Sequence, residues 1–226
     1  MAKPMFDADA LISAFETATA QQGAQLKKAV SDATLASLQG RELTLKNIRA
    51  ALKAVTDAAS AGAAKNLTGG VDAEALLDQA VAGMDQALLK AVEANRVALG
   101  QLVSQGADLR EKHLKKALDD LDKFEDTMFA AVRKAAAGVE GPMAGAWNQV
   151  LEKMQAGGTL SGAKASTTVE QLAAQMQDAM RTSRAASMRA AQAMAESYTA
   201  MVSGVLLGMS EALKQGGPAA KTGKSK

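Results

Sequence analysis

The chain has 226 residues and a formal net charge of +2, so its overall charge gives no reason to expect specific nucleic-acid binding. It contains no cysteine, which excludes disulfides, thiolate metal sites and a cysteine nucleophile. Alanine accounts for 51 residues, against one Trp, one Tyr and four Phe. Alanine is the best helix former but buries little apolar surface. The composition therefore predicts long helices that pack closely on each other or on another surface.

Residues 1–70 are predicted to form an N-terminal helical segment. Asp7 and Asp9 are both suitable helix caps, and apolar residues recur at helical spacing between residues 11 and 38. A second helical pattern follows between residues 43 and 59, and Gly40 either breaks or softens the helix between them.

Residues 71–137 carry the longest apolar pattern and are predicted to form a long central helix. Asp72 stands at the position of a cap, and near-heptad spacing continues to Val132. An unbroken helix here would be about 95 Å long, which is typical of coiled coils and elongated bundles. We expect a kink or a register shift at Gly100 or Gly106, and whether the helix is continuous stays open.

Residues 138–166 are predicted to be a linker that holds one short helix around Trp147. Glycine-rich stretches at 138–142 and 157–162 flank that helix. Neither has the Lys-Ser/Thr pair of a phosphate-binding loop, so we interpret both as helix breaks.

Residues 167–215 are predicted to form a long C-terminal amphipathic helix. Thr167 and Glu170 have the spacing of a capping box, and the glycines and proline of 216–218 would stop the helix. Its second half has no charged residue between 197 and 210. The stripe that we assign to helix packing or to surface contact is Met194, Tyr198, Met201, Val205 and Met209.

A second feature of this helix is a ridge of small residues spaced by four: Ala200, Gly204, Gly208 and Ala212. Each mid-helix glycine costs on the order of 1 kcal/mol, so close helix–helix approach is expected to offset the cost. Two interpretations stay open, a buried bundle core and a face that inserts into a lipid or polymer surface. Residues 216–226 are predicted to be a disordered basic tail.

Side chains with catalytic potential are few. His113 is the only histidine, and it stands among charged residues without a visible nucleophile, acid partner or set of metal ligands. The acidic run at 119–126 lacks the pattern of a calcium loop and suits a solvated face or a docking surface for a partner. We therefore predict a non-enzymatic protein with no catalytic, cofactor-binding or metal site.

The Ala/Met/Gln-rich helix around residues 188–195 and the Ala/Lys/Gly tail at 219–224 resemble those of phasins, bacterial proteins that coat polyhydroxyalkanoate storage granules. The scarcity of aromatic residues and the absence of cysteine fit the same resemblance. It implies an amphipathic, oligomer-forming granule coat that separates polymer from cytoplasm.

The predicted fold class is all-α, with long amphipathic helices in an elongated antiparallel bundle or coiled coil. The connection at 138–162 permits an antiparallel hairpin of helices 72–137 and 167–213. We expect a homo-oligomer without cofactors that binds a hydrophobic polymer or lipid surface. The alternative is a structural coiled-coil scaffold that self-associates and binds another protein. No signal peptide or membrane span is visible, which predicts a cytoplasmic protein, located on granules if the resemblance holds.

Overall fold

A computed structural model describes the chain over the ranges 6–19, 22–39, 43–66, 72–105, 112–182, 198 and 201–209. The described residues are mostly helical and include no strand, which confirms the all-α prediction. The helices are α1 (Ala8–Glu16), α2 (Gly23–Leu38), α3 (Leu45–Asn66), α4 (Ala73–Ser104), α5 (Lys112–Asp122), α6 (Phe124–Ala137), α7 (Pro142–Gly157) and α8 (Leu160–Thr182). A further helical stretch covers residues 201–209. The predicted tail at 216–226 lies outside the described residues.

Two of the predicted helix caps are confirmed. The Asp7 carboxylate accepts a hydrogen bond from the backbone N–H of Ala10 at 3.0 Å, at the start of α1. The Asp72 carboxylate accepts one from the N–H of Glu74 at 3.0 Å, at the start of α4. A short acceptor side chain just before a helix satisfies N–H groups that have no partner inside the helix.

The first apolar pattern of the N-terminal segment belongs to two helices. α1 ends at Glu16, where the hydroxyl of Thr17 donates to the carbonyl of Ser13, and α2 begins at Gly23. The second pattern is α3, as predicted.

The central pattern is not one continuous helix. α4 runs through Gly100 without a break and ends at Ser104, and helical structure resumes in α5 at Lys112. Residues 106–111, which include Gly106, lie outside the described residues. α6 packs mainly on α3 and α7 and only slightly on α4. The near-heptad pattern is therefore divided among three helices that face different neighbours.

The C-terminal helix begins earlier than predicted. α8 starts at Leu160, so Thr167 lies inside it and its hydroxyl donates to the carbonyl of Ala163 at 3.0 Å. The hydroxyl of Thr159 accepts from the N–H of Gly162 and acts as the cap. Residues 183–197, on which continuity with 201–209 depends, are outside the described residues.

α4 and α8 run in the same direction, which contradicts the predicted antiparallel hairpin. Asp85 of α4 contacts the first residues of α8, and Glu93 forms an ion pair with Lys164. Further along, a Cβ on Gly100 would lie 4.0 Å from the side chain of Gln175. Positions increase together on both helices because α5, α6 and α7 return the chain to the N-terminal half of α4. The antiparallel partner of α7 is instead α6, since Glu125 near the start of α6 reaches Thr159 beyond the end of α7.

The core contains buried side chains from all eight helices and from residues 201–209. Alanines and glycines let helices approach closely. A Cβ added to Gly62 of α3 would lie 2.5 Å from the Cβ of Phe15 in α1. A Cβ added to Gly83 of α4 would lie 2.6 Å from the carbonyl oxygen of Lys27 in α2. Trp147 of α7 is fully buried, and its indole N–H donates to the hydroxyl of Ser60 at 2.9 Å.

Candidate functional site

The described C-terminal stretch, residues 201–209, packs one face on the core. Val202 and Leu206, which are 2% and 1% exposed, form the centre of that face. The predicted residues Tyr198, Met201 and Val205 are partly buried at its side.

The most buried positions thus lie one residue after the predicted Met201 and Val205, and they keep the same spacing of about one helical turn. Met209 is partly exposed, and Met194 lies outside the described residues.

The predicted close-packing ridge is not packed within the described part of the chain. Gly204 and Gly208 are exposed, and no described atom lies within 4 Å of a Cβ built on either. At 100° per residue both glycines fall on the side of the helix opposite Val202 and Leu206. Within the described residues these two glycines therefore face no neighbouring helix, and the close approach of another helix stays a prediction. Ala200 and Ala212 lie outside the described residues.

Large exposed apolar side chains are scarce among the described residues: Leu160 is 68% exposed and Leu207 is 44% exposed. Leu160 opens α8, close to charged and polar residues. Leu207 lies beside the exposed glycines, in the stretch without charged residues. The apolar stripes of α3, α4 and α6 are otherwise turned into the core.

A second surface feature is a groove between α3 and α6, which we call the α3–α6 groove. Its first part has a volume of about 490 Å³, and small side chains such as Ala50, Ala130 and Ala131 line it. Its second part, of about 480 Å³, continues past Ala61 to Met143 of α7. The two parts share residues of both walls.

The rim of the α3–α6 groove is mainly cationic. Arg49 and Lys53 stand on α3, and Lys134 stands on α6. Lys53 forms an ion pair with Asp57 on its own helix. Arg49 and Lys134 have no ion-pair partner among the described residues.

This groove is not apparent from the sequence. The available signal was the exposed i, i+4 series Arg49, Lys53, Asp57 and Ala61 on α3. That series shows a solvated face with small gaps but does not reveal which helix packs alongside.

Two carboxylates that join helices are occupied by structural hydrogen bonds. Asp85 of α4 is buried and accepts from the backbone N–H groups of Leu160 and Ser161 at 2.9 Å each. Glu125 of α6 accepts from the N–H and the hydroxyl of Thr159. Both carboxylates face the amino end of α8, where negative charge is favourable. Their role is to fix α8 in place.

Asn95 is the most unusual buried polar residue. It stands in the middle of α4, is fully buried, and neither atom of its amide has a hydrogen-bond partner in the described structure. A buried unpaired polar group costs about 1–3 kcal/mol. The sequence pattern had placed Asn95 within the apolar stripe of the central helix, and its burial agrees with that position.

Among the ionisable groups of α4, Glu93 has a changed pKa that bears on the contact with α8. Arg96 donates hydrogen bonds to Glu93, and together with Lys164 it lowers the pKa of the Glu93 carboxyl from its ordinary value. Burial opposes this change to a lesser degree. Glu93 thus joins α4 to α8 as a carboxylate.

Only some of the residues considered for chemistry have side chains among the described residues. His113 belongs to α5, and its side chain lies outside the described residues. In the described ranges, no three His, Asp or Glu side chains are grouped in a way that would hold a metal ion. No described helix combines the length and the apolar character that crossing a bilayer requires.

Comparison with known proteins assigns the chain to a family. Residues 1–215 match the model described as "Family of unknown function (DUF6781)". The chain belongs to this family. No curated protein and no solved structure matches it. The match covers α1 to α8 and the stretch 201–209 together, so the bundle and its C-terminal stretch are parts of one family unit.

Proposed function

We propose that this protein is a non-enzymatic, phasin-like helical protein that attaches to a hydrophobic surface, such as a polyhydroxyalkanoate granule, through its C-terminal stretch. The observation that carries the proposal is the exposure of Leu207 beside Gly204 and Gly208. This exposed patch lies between residues 197 and 210, where the sequence has no charge that would oppose transfer from water to an apolar phase.

The other helices support separate roles for the bundle and for the C-terminal stretch. Apart from Leu160 at the start of α8, their large apolar side chains are mostly buried or partly buried in the described structure, so they have little to contribute to a hydrophobic surface. Their exposed faces carry ion pairs such as Lys28–Asp32 and Lys53–Asp57. In the proposed arrangement, the bundle of α1 to α8 faces water while the C-terminal stretch contacts the surface.

The strength of such attachment depends on many chains acting together. Full burial of one leucine contributes about 1.5–3 kcal/mol, which by itself gives only weak binding. A homo-oligomer or a dense coat would present many copies of Leu207 and raise the overall affinity. The expected homo-oligomer therefore remains part of the proposal.

The alternative, a coiled-coil scaffold that self-associates and binds another protein, draws less support from the helices. Self-association was expected in that alternative because the two long helices each carry an apolar stripe that has to be buried. In this chain α4 and α8 already pack on each other and on neighbouring helices, so self-association is not required for that burial.

Co-sedimentation with polyhydroxybutyrate particles tests the proposal. The full chain is compared with Leu207→Glu and with the matched control Leu160→Glu, which changes the other large exposed leucine outside the C-terminal stretch. We expect the wild type and Leu160→Glu to sediment with the particles and Leu207→Glu to stay largely in solution. Failure of the wild type to bind, or equal binding by all three proteins, would overturn the proposal.

A further inference from the structure

The α3–α6 groove is long and narrow. Its lining on α3 extends from Arg49 to Ala64, which corresponds to about 22 Å along a helix. Lys134 of α6 and Gly138, directly after α6, line both parts, so the two volumes form one continuous path. The floor of this path consists largely of alanine methyl groups, which leave space that larger side chains would fill.

The two ends of the groove differ in character. Arg49 and Lys53 line only the first part, and Lys134 on the opposite wall lines both parts. Ala64, Val139 and Met143 line only the second part, together with the acid Glu140, and Asp57 lines both parts. Since Lys53 is paired with Asp57, Arg49 and Lys134 are the two cations of the groove lining that have no ion-pair partner among the described residues. A ligand that matches this gradient has a negative head and an apolar tail.

We propose that the α3–α6 groove binds an anionic amphiphile with a single acyl chain. The head lies between Arg49 and Lys134, and the chain lies over the alanines toward Met143. Charge-assisted hydrogen bonds from a guanidinium and an ammonium hold a carboxylate or a phosphate more strongly than neutral donors do. The chain covers alanine methyl groups that are otherwise in contact with water.

The volume of the groove suits a small molecule such as one with a single acyl chain. Pockets of about 300–1,000 Å³ are typical of small-molecule sites. Each part of the groove falls within this range. This proposal does not depend on the surface attachment of the C-terminal stretch, because Leu207 is not among the residues that line the groove.

Calorimetric titration of the full chain with dodecanoate, below its critical micelle concentration, tests the proposal. We expect saturable binding to the wild type, with a loss of at least about tenfold in Arg49→Glu/Lys134→Glu. The matched control is Lys46→Glu/Arg133→Glu, which changes exposed cations of the same two helices that do not line the groove. We expect the control to bind like the wild type, and dodecyltrimethylammonium, with the opposite charge on the same chain, to bind far more weakly.

Several results would overturn the proposal: no binding of dodecanoate by the wild type, equal binding of both amphiphiles, or equal losses in the two double variants. A parallel titration with vesicles of phosphatidylglycerol separates a free acyl anion from a lipid headgroup. Binding to vesicles without binding to dodecanoate would assign the cations to contact with a membrane surface. It would refute the binding of an acyl chain in the groove. Leu207→Glu, which retains Arg49 and Lys134, is expected to bind dodecanoate normally, so failure of surface attachment is distinguishable from failure of this site.

Discussion

Gly62 and Gly83 of the bundle and Gly204 and Gly208 of the C-terminal stretch are all helical glycines, but their surroundings are opposite. In the bundle, an added Cβ would overlap the neighbouring helix at 2.5–2.6 Å. In the C-terminal stretch, it would meet no described atom within 4 Å. Spacing by four residues is therefore not sufficient for close packing. A neighbouring backbone must also lie over the glycine, and among the described residues only the bundle supplies one.

The same contrast holds for leucine. Leu99 is fully buried in α4, whereas Leu207 is 44% exposed. This difference suggests that the bundle supplies stability and that the C-terminal stretch is free to make contacts outside the chain. Four pairs of measurements would test that division, and they follow from the largest expected effect to the smallest.

Separate replacement of each leucine by alanine should give the largest difference in the free energy of unfolding between the two regions. Leu99→Ala is expected to lower the free energy of unfolding by about 2–5 kcal/mol, because it leaves a cavity in the core. Leu207→Ala is expected to change it by less than about 0.5 kcal/mol. Urea unfolding followed by circular dichroism measures both. A large loss in Leu207→Ala would mean that this side chain supports the fold and is not free for a surface.

Replacement of glycine by alanine should change the free energy of unfolding in opposite directions in the two regions. Gly83→Ala is expected to destabilise the protein by about 1–2 kcal/mol, since the new methyl group meets the carbonyl oxygen of Lys27 and this cost exceeds the gain in helix propensity. Gly204→Ala is expected to stabilise it by up to about 1 kcal/mol, because nothing described opposes the methyl group. Thermal melts of both variants show the signs directly. Destabilisation by Gly204→Ala would instead indicate that another helix packs closely on Gly204, as the ridge of small residues predicts.

Removal of the carboxylate that holds α8 should have a moderate effect. Asp85→Ala is expected to cost about 0.5–2 kcal/mol, because the N–H groups of Leu160 and Ser161 lose their acceptor. The control is Asp57→Ala, which removes an exposed carboxylate with one ion pair and should cost less than about 1 kcal/mol. Hydrogen exchange at the first turn of α8 locates the change. Equal exchange in Asp85→Ala and the wild type would contradict the anchoring role.

Acidification should have the smallest effect on the free energy of unfolding, and this effect should come only from charged residues of the bundle. The hydrogen bond from Arg96 above all keeps the pKa of Glu93 lower in the folded chain than its ordinary value of 4.5. The stability that ionised Glu93 contributes to the fold is therefore fully present at a pH above this value. It is lost as the pH falls through the lower pKa of the folded chain. Because both side chains are partly exposed, we expect Glu93→Gln to cost only about 0.2–0.5 kcal/mol near neutral pH.

Urea midpoints of the wild type and Glu93→Gln near neutral pH and at a pH of about 3 check this expectation. The difference between the two proteins should shrink on acidification. A difference that grew would contradict the assigned direction of the pKa change.

Helical content and several boundaries were predictable because their causes are local. Alanine abundance and apolar spacing made the chain all-α, and Asp7 and Asp72 capped helices where their positions predicted. Thr159 was missed as the start of α8 because the carboxylates that hold this end belong to other helices: Glu125 accepts from Thr159, and Asp85 accepts from Leu160 and Ser161. Thr167 had the better local pattern, but the start of α8 depends on those distant carboxylates as well.

The sequence by itself determined that this chain forms helices, that Leu99 and its neighbours on the stripe are buried, and that residues 197–210 carry no charge. Only the tertiary structure decided that α4 and α8 run in parallel, that Gly83 rather than Gly204 receives a neighbouring helix, and that α3 and α6 enclose a groove. The physical reason is that helical spacing fixes which side chains share a face. Which surface covers that face depends on loops and contacts between residues far apart in the chain.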